Sequence, residues 1–337
     1  MKISVKEGCL FIAAAALCFV AWFRLGYPQF SFVHLSLDRN KALAKAEEFL
    51  HSRRIDTKGY SRAVSFSLDA WQDRFLQRTL GFRQEEEFLR KHAYELFHWK
   101  VRLFKELRKE EFILTLSPRT GEVLSFKHLI DDIAPAASVE KMSARHSAEQ
   151  FLKDRYGADL GDYDFHEEKV KRFENRVDYG FSWERKDVAI SWKKDQGQAR
   201  LLMGATVTGD EVREFYKNEL DVPEKFRRDI ENQLVLGEYI WGFYFLIYIF
   251  LLACSITIVI KRRLDILTRL TKRFFISLAA FLVFLNLLAI LNNIQNIIIN
   301  YRTGVAFSSF VGSYTLKEVI DAVFLSFAFV FPGMAGE

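Results

Sequence analysis

Cysteine is scarce in this chain, and its positions exclude two kinds of stabilising site. The three cysteines, Cys9, Cys18 and Cys254, all lie in apolar segments, so the polar stretch of residues 32–232 contains none. A disulfide framework and a Cys-x-x-Cys zinc site are therefore excluded from that stretch. We interpret each cysteine as a small apolar side chain.

Common catalytic motifs are also absent. The polar stretch contains no Gly-x-Gly-x-x-Gly, no phosphate-binding Gly-x-x-x-x-Gly-Lys and no Gly-x-Ser-x-Gly. All seven histidines lie between His34 and His166. His166 is followed by two glutamates but lacks the second histidine of a His-Glu-x-x-His zinc site, and the spacing of His92 and His98 has little metal specificity. We interpret all seven as surface or partly buried imidazoles.

The charge distribution argues against nucleic acid as a partner. The formal net charge is +5, from 48 basic and 43 acidic residues. Residues 24–232 hold 38 of the basic and 37 of the acidic residues, so the polar stretch is nearly neutral. A nucleic-acid-binding domain carries a basic excess that replaces the counterions of the phosphates. We therefore predict no nucleic-acid partner.

Four apolar runs hold most of the remaining chain. They cover residues 8–23, 237–260, 274–299 and 319–335, and about 20 apolar residues suffice to cross a bilayer. The first run fits a signal peptide or an anchor, and we favour an uncleaved anchor because no small-x-small pattern follows Phe23. The lipid bilayer is therefore the first predicted partner.

Basic residues between the second and third runs predict the topology. That segment holds six basic residues and one acidic residue: Lys261, Arg262, Arg263, Arg269, Lys272, Arg273 and Asp265. Short loops rich in Lys and Arg stay in the cytoplasm. We therefore predict that the chain lies in a bacterial cytoplasmic (inner) membrane, with its N-terminus inside and residues 32–232 outside the cytoplasm.

Asparagines recur along one arc of the third run, at Asn286, Asn292, Asn293, Asn296 and Asn300. A polar arc within lipid must face protein or water. The arc either lines a cavity or forms hydrogen bonds between helices. We favour the hydrogen bonds, because amide side chains often join membrane helices.

A short internal repeat divides the polar stretch. Residues 46–50, Ala-Glu-Glu-Phe-Leu, recur as residues 148–152, Ala-Glu-Gln-Phe-Leu. Each copy belongs to an amphipathic pattern that predicts a helix, with Ser36 and Ser143 as N-caps. Alternating apolar residues after each helix predict antiparallel strands, and a Thr-Gly turn precedes the last strand of each half. One further helix is predicted over residues 71–92.

These patterns together predict the fold class. We expect a membrane protein with an α-helical transmembrane bundle plus an α+β extracytoplasmic domain built of two related helix-on-sheet halves. The predicted domains are an N-terminal transmembrane anchor, two α+β modules and a set of transmembrane helices, over residues 1–31, 32–136, 137–232 and 233–337. The strand, Thr-Gly turn and strand that end each module resemble PepSY-like modules.

The last residues hold the remaining candidate for catalysis. Residues 331–337 read Phe-Pro-Gly-Met-Ala-Gly-Glu, so Glu337 follows a Pro-Gly break at the end of the fourth run. An ionisable residue in a membrane helix is a functional candidate. The alternative is that Glu337 only solvates a helix terminus.

With this ending, the layout resembles the CPBP family of intramembrane metalloproteases, which includes CAAX proteases and bacteriocin-processing proteins. Residues 209–212, Gly-Asp-Glu-Val, and residues 222–227, Val-Pro-Glu-Lys-Phe-Arg, add to the resemblance. In the family's Glu-Glu-x-x-x-Arg motif, Glu337 matches the second glutamate and Gly336 replaces the first. The resemblance implies that Glu337 is catalytic and activates water at zinc or another divalent metal. It also implies a peptide or membrane-protein substrate.

The motif's arginine and the family's two later histidines have no counterpart in the 337 residues. We therefore expect the N-terminal portion of a metallo-endopeptidase, inactive by itself and without a metal or cofactor of its own. The alternative belongs to another class of protein. It is a membrane-anchored binding or sensor protein whose paired PepSY-like modules bind a peptide or cell-wall ligand.

Overall fold

The computed structural model of the chain describes residues 5–26, 35–193, 196–261 and 269–336. Glu337 and most of the basic segment that predicts the topology lie outside these described residues. The catalytic role of Glu337 and the orientation in the membrane therefore stay predictions.

Eight α-helices occur in the described residues. They are α1 (Val5–Gly26), α2 (Arg39–Ser52), α3 (Ala70–Leu80), α4 (Phe82–His92), α5 (Lys141–Tyr156), α6 (Glu224–Lys261), α7 (Arg269–Ile299) and α8 (Phe307–Gly336). Helix α2 begins where Asp38 Oδ1 accepts the backbone N–H of Lys41 at 2.9 Å, an N-cap bond. Helix α5 ends at Gly157, whose φ of +59° is the left-handed conformation common after a helix.

Eight strands form one antiparallel sheet. They are β1 (Ser61–Leu68), β2 (Phe97–Phe104), β3 (Glu111–Leu116), β4 (Val123–Leu129), β5 (Tyr163–Arg172), β6 (Val177–Ser191), β7 (Gln198–Thr208) and β8 (Glu211–Asp221). Across the sheet their order is β1-β2-β3-β4-β8-β7-β6-β5. Neighbours along the chain are therefore neighbours in the sheet, except where β4 meets β8.

The pairing of β4 with β8 joins the two parts of the sheet. Its register places Ser125 opposite Tyr216 and Phe126 opposite Phe215. A side-chain ion pair 3.0 Å long, between Lys127 and Glu214, continues the same ladder. Residues about 90 positions apart in sequence thus meet in the middle of one sheet.

Helices α2 and α5 cover a hydrophobic core to which both parts of the sheet contribute. The ring of Phe49 in α2 has its centroid 5.3 Å from that of Phe126 and 6.0 Å from that of Phe215. Phe151 of α5 contacts Phe215 from the other side, at 5.1 Å. Burying each such ring contributes about 2 kcal/mol. The core therefore holds the β4–β8 junction closed.

A second apolar cluster joins the inserted helices α3 and α4 to the start of α6. Phe226, in the first turn of α6, contacts Phe75 of α3 at 5.1 Å and Trp192, just after β6, at 4.8 Å between ring centroids. Helix α6 continues without a break to Lys261. This cluster therefore fixes the direction of a long helix relative to the sheet.

The end of α7 contacts the opposite edge of the sheet. Arg102 of β2 is buried and donates to the carbonyl oxygens of Ile299, at 2.8 Å, and Tyr301, at 2.6 Å. The last carbonyl groups of a helix lack a partner within it, so a donor from the sheet suits this position. The guanidinium also pairs with Glu111, so its buried charge is compensated.

The predicted fold class is wrong. The described residues form one continuous sheet over a shared core, not two helix-on-sheet halves beside a transmembrane helical bundle. Two helical segments, Glu224–Lys261 and Ile276–Ile299, are long and apolar enough to span a membrane, whereas the apolar segment of α1, Ile12–Arg24, is shorter. Apolar runs predict helices one at a time. They carry no information on the strand pairing that dominates this fold.

Two smaller predictions are also wrong. The N-caps are Asp38 and Glu140 rather than Ser36 and Ser143, and Ser143 lies inside α5. The helix predicted over residues 71–92 is two helices, because Gly81 has a φ of +77° and ψ of 159°, a conformation that ends α3.

A buried carboxyl group in the inserted helices, that of Glu85, leads to the first prediction. Glu85 is 1% exposed, and burial followed by the neighbouring Asp73 raises the pKa of its carboxyl to about 8. The folded chain keeps this proton while the unfolded chain loses it, so the contribution to stability is complete at low pH and is lost as pH rises through 8. In the wild type, the free energy of unfolding should fall by about 1 kcal/mol per pH unit between pH 5 and 8. We expect Glu85→Gln to remove this fall.

Urea unfolding of the full chain, followed by tryptophan fluorescence across this pH range, measures the effect. The matched control is Glu87→Gln, an exposed position in the same helix, which should retain the wild-type slope. A slope that is unchanged in Glu85→Gln would contradict the assignment.

Candidate functional site

A polar pocket of about 280 Å³ lies on the face of the sheet opposite α2 and α5. Thr115, Ser125 and Tyr216 follow one row across β3, β4 and β8, because they are register partners. The next row contains the core residues Phe126 and Phe215, and successive residues of a strand point to opposite faces. The floor of the pocket is therefore the β4–β8 junction.

The inserted helices form one wall of this pocket. Asp69 and Gln72 come from the start of α3, whereas Tyr94 and Glu95 come from the segment between α4 and β2. The backbone N–H of Asp69 donates to the carbonyl oxygen of Leu96 at 3.0 Å. This bond closes the base of the insertion and holds both segments beside β2.

Two carboxyl groups in the pocket have raised pKa values. Burial raises the pKa of Asp69 to about 6, the charge of Glu219 adds to the shift, and Lys100 opposes it. Burial, followed by the charges of Asp221 and Glu214, raises the pKa of Glu219, and the charges of Arg227 and Lys127 oppose this shift. Among the described residues, no Lys or Arg nitrogen lies within 4.0 Å of the carboxylate of Asp69 or Glu219. A bound cation would therefore lower both pKa values.

His98 adds a neutral imidazole to the pocket. It is 8% exposed, and no hydrogen bond to its ring comes from the part of the chain that the structure describes. Its Nδ1 lies 3.7 Å from Asp69 Oδ2, which is longer than a hydrogen bond. Burial, and then the charge of Lys100, lowers the pKa of His98 to about 4. At neutral pH the ring therefore contributes one donor and one acceptor, and no charge.

A third carboxyl group lies at the rim. Glu95 Oε1 accepts a hydrogen bond from Ser117 Oγ at 2.7 Å and lies 3.7 Å from Arg119. Its Oε2 is buried and without a hydrogen-bond partner among the described residues. Burial raises the pKa of Glu95, against the opposing effects of Ser117 and Arg119. Unlike Asp69, this carboxylate has a cation beside it.

Tyr216 completes the pocket and depends on a glycine in the next strand. Burial raises the pKa of Tyr216 to about 12, so its hydroxyl remains a hydrogen-bond donor. A Cβ atom at Gly204 would lie 2.5 Å from Tyr216 Oη and 2.9 Å from the carbonyl oxygen of Phe181. Only glycine therefore lets the tyrosine ring lie against β7.

The arrangement favours binding of a small polar cation. Hydroxyl groups of Thr115, Ser125 and Tyr216 supply hydrogen bonds. The charged side chains of the lining are four acidic and two basic ones: Asp69, Glu95, Glu122, Glu219, Arg119 and Lys217. The residues described contain no group of three or more His, Cys, Asp or Glu side chains that could hold a metal ion.

The sequence did not single out the residues of this pocket. His98 was interpreted as a partly buried imidazole, which is correct for its burial but not for its position in a pocket. Asp69 and Glu219 are 150 positions apart, and no local pattern connects them. Only the strand order, which places β8 beside β4, brings them together.

The asparagine arc divides between two environments. Asn286 and Asn293 line a cavity of about 180 Å³ between α7 and α8. Asn296 accepts a hydrogen bond from Ser65 of β1 and donates to Asn293, and Asn300 donates to the carbonyl oxygen of Asn296. Thus the cavity interpretation holds for part of the arc. Among the described residues, the side chains of these asparagines form hydrogen bonds within α7 and to the sheet, not to another helix.

No family model, curated protein or solved structure matches this chain. The resemblance to intramembrane metalloproteases and to PepSY-like modules therefore stays a prediction. The same holds for the implied divalent metal and for the catalytic role of Glu337.

The contact between Gly204 and Tyr216 generates a second prediction. Gly204→Ala should destabilise the chain by about 1–3 kcal/mol, because its Cβ overlaps the tyrosine and a backbone carbonyl that cannot both move. The matched control is Gly180→Ala in β6, whose Cβ would meet its nearest neighbour at 3.5 Å. Urea unfolding of both variants measures the difference. Equal stability of the two variants would contradict the assigned packing.

Proposed function

We propose that this chain is a membrane-anchored binding protein whose sheet pocket takes a small ligand with a protonated amine. The observation that carries the proposal is the pair of carboxyl groups of Asp69 and Glu219, which line one pocket and have no Lys or Arg nitrogen within 4.0 Å among the described residues. The two basic side chains of the lining, Arg119 and Lys217, pair with Glu95 and Glu122 instead. An ammonium group is a compact charge with up to three donors. It would satisfy both carboxylates and relieve their mutual repulsion.

The size of the pocket limits the ligand. A volume of about 280 Å³ lies at the lower end of the range for small-molecule sites. The lining also includes the hydroxyl groups of Thr115, Thr120 and Ser125, which suit a polar ligand better than an apolar one. Free amines, amino sugars and a lysine side chain of a peptide share this chemistry.

Membrane anchoring is supported by α6 and α7. Their apolar segments are long enough to span a membrane and are only 6% buried. Large exposed apolar side chains such as Trp241 and Leu246 favour lipid over water. The basic segment after Lys261 favours an N-terminus inside and residues 32–232 outside the cytoplasm of a bacterial cell.

The pocket lies close to the residue that holds the end of α7. His98 and Arg102 lie on the same face of β2, four residues apart, or about 13 Å along the strand. Arg102 holds the end of α7 through the carbonyl oxygens of Ile299 and Tyr301. In a sensor role, ligand binding in the pocket would change these contacts of Arg102 and thereby shift α7.

Putrescine is a suitable probe for the third prediction, with uncharged 1,4-butanediol as the matched control ligand. Calorimetry on the full chain in lipid nanodiscs should show saturable putrescine binding and no butanediol binding. Asp69→Asn should weaken putrescine binding about tenfold or more, because a charged hydrogen bond is lost. The control variant is Asp164→Asn, an exposed position on β5. Absence of saturable binding, or equal binding by both variants, would contradict the proposal.

The fourth prediction concerns pH. The pKa of Asp69 is raised to about 6, so at pH 5 the carboxyl is mostly protonated and cannot pair with an amine. Putrescine affinity should therefore rise between pH 5 and pH 7, while the amine itself stays charged. In Asp69→Asn this dependence should be reduced. An affinity that falls over this range in the wild type would contradict the role of Asp69.

A further inference from the structure

Helix α3 runs beside the chain as it leaves the sheet and enters α6. Gln72 Nε2 donates to the carbonyl oxygen of Leu220 at 3.4 Å, and Arg78 Nη1 donates to Gln233 Oε1 at 2.8 Å. Between these two contacts, the ring of Phe75 packs on that of Phe226. Positions further along α3 thus contact positions further along the β8–α6 segment. The two helices run in the same direction, away from the sheet.

The C-terminal end of α3 lies beside the part of α6 where the exposed side chains become apolar. Gln233 lies four residues before Gly237, which is about 6 Å along the helix axis. From Leu236 onward α6 exposes large apolar and aromatic side chains, among them Tyr239 and Trp241. Aromatic side chains at the start of an apolar span are typical of the membrane–water interface.

The turn that follows α3 presents an apolar side chain between two cations. Phe82 is 58% exposed, and Arg78 and Arg83 on either side of it are also exposed. Gly81, at φ +77°, makes the reversal into α4 possible. Glu86 and Glu87 come later, in the part of α4 that returns toward the pocket. The tip of the turn is therefore basic and apolar.

We infer that the α3–α4 turn lies in the headgroup layer of the membrane that α6 crosses, with Phe82 inserted among the acyl chains. This inference rests on the membrane anchoring of the proposed function. Arg78 and Arg83 contact lipid phosphates, which guanidinium groups bind with two parallel hydrogen bonds. The turn and α6 form one continuous lipid-facing surface. The membrane thus fixes the wall of the pocket that α3 and α4 build.

A lipid surface fits the turn better than a protein partner. The bond between Arg78 and Gln233 ties the turn that exposes Phe82 to the start of the exposed apolar surface of α6. An equally exposed residue elsewhere provides the contrast. Ile133 is 64% exposed, and its carbonyl oxygen accepts from Asn175 at the opposite end of the strands.

Spin labels in the full chain test the inference. Cys9, Cys18 and Cys254 are replaced by alanine. One cysteine is then introduced per chain, by Gln84→Cys beside the turn, by Glu174→Cys at the far end or by Leu246→Cys on α6. The chain is reconstituted into vesicles of phosphatidylcholine with phosphatidylglycerol, and the accessibility of each label to oxygen and to a water-soluble nickel complex is measured.

The expected result is that the labels at positions 84 and 246 are accessible to oxygen and shielded from nickel, while the label at position 174 is accessible to nickel. Adding Phe82→Gln to the chain labelled at 84 should lower the ratio of membrane-inserted to water-exposed turns about tenfold. The reason is that the apolar ring, which partitions into the acyl chains, is lost. The matched change Ile133→Gln should leave this label unaffected. In vesicles of phosphatidylcholine alone, Arg83→Gln should have a smaller effect than in the anionic vesicles.

Each of the other outcomes contradicts one part of the inference. If position 246 reports lipid but position 84 reports water, the turn does not touch the membrane and the anchoring stands. If position 246 reports water, the anchoring itself fails, and the inference fails with it. If position 84 reports lipid but Phe82→Gln has no effect, Phe82 is not the inserted group.

Discussion

The pairing of β4 with β8 is the interaction on which the rest of the structure depends. It joins strands from two distant parts of the chain, and Phe126 and Phe215 pack together on its core side under α2 and α5. On its other side Ser125 and Tyr216 form the floor of the polar pocket. Without this ladder, β4 and β8 would become two further open sheet edges, and there would be no pocket between them.

The pocket combines groups that the fold brings together at an electrostatic cost. Asp69 is held at the start of α3, and Glu219 lies near the end of β8, so one strand and one insertion place two carboxyl groups in the same pocket. Burial raises the pKa values of both. Groups with such shifts are over-represented in binding and catalytic sites. The proposed amine would lower this cost by placing a positive charge beside both carboxylates.

Local patterns predicted the helices around Ala46 and Ala148, and both positions lie in helices that pack on the core. The long apolar runs likewise lie in helices. What the sequence could not predict is non-local: the strand order, the β4–β8 ladder and the meeting of Asp69 with Glu219. Gly81 was missed as a helix break because the residues on both sides of it are strongly amphipathic. The family resemblance depended on Glu337, which lies outside the described residues.

A disulfide cross-link between β4 and β8 tests the central claim most directly. Lys127 and Glu214 are register partners in this ladder, and facing residues of antiparallel strands have Cα atoms about 5 Å apart, within the range a disulfide spans. With the three native cysteines replaced by alanine, the pair Lys127→Cys and Glu214→Cys should oxidise fully in the folded chain and retain putrescine binding. The pair Lys127→Cys and Arg200→Cys, whose residues are not partners, should not. Failure of the first pair to cross-link in a chain that still unfolds cooperatively would contradict the single sheet and the pocket built on it.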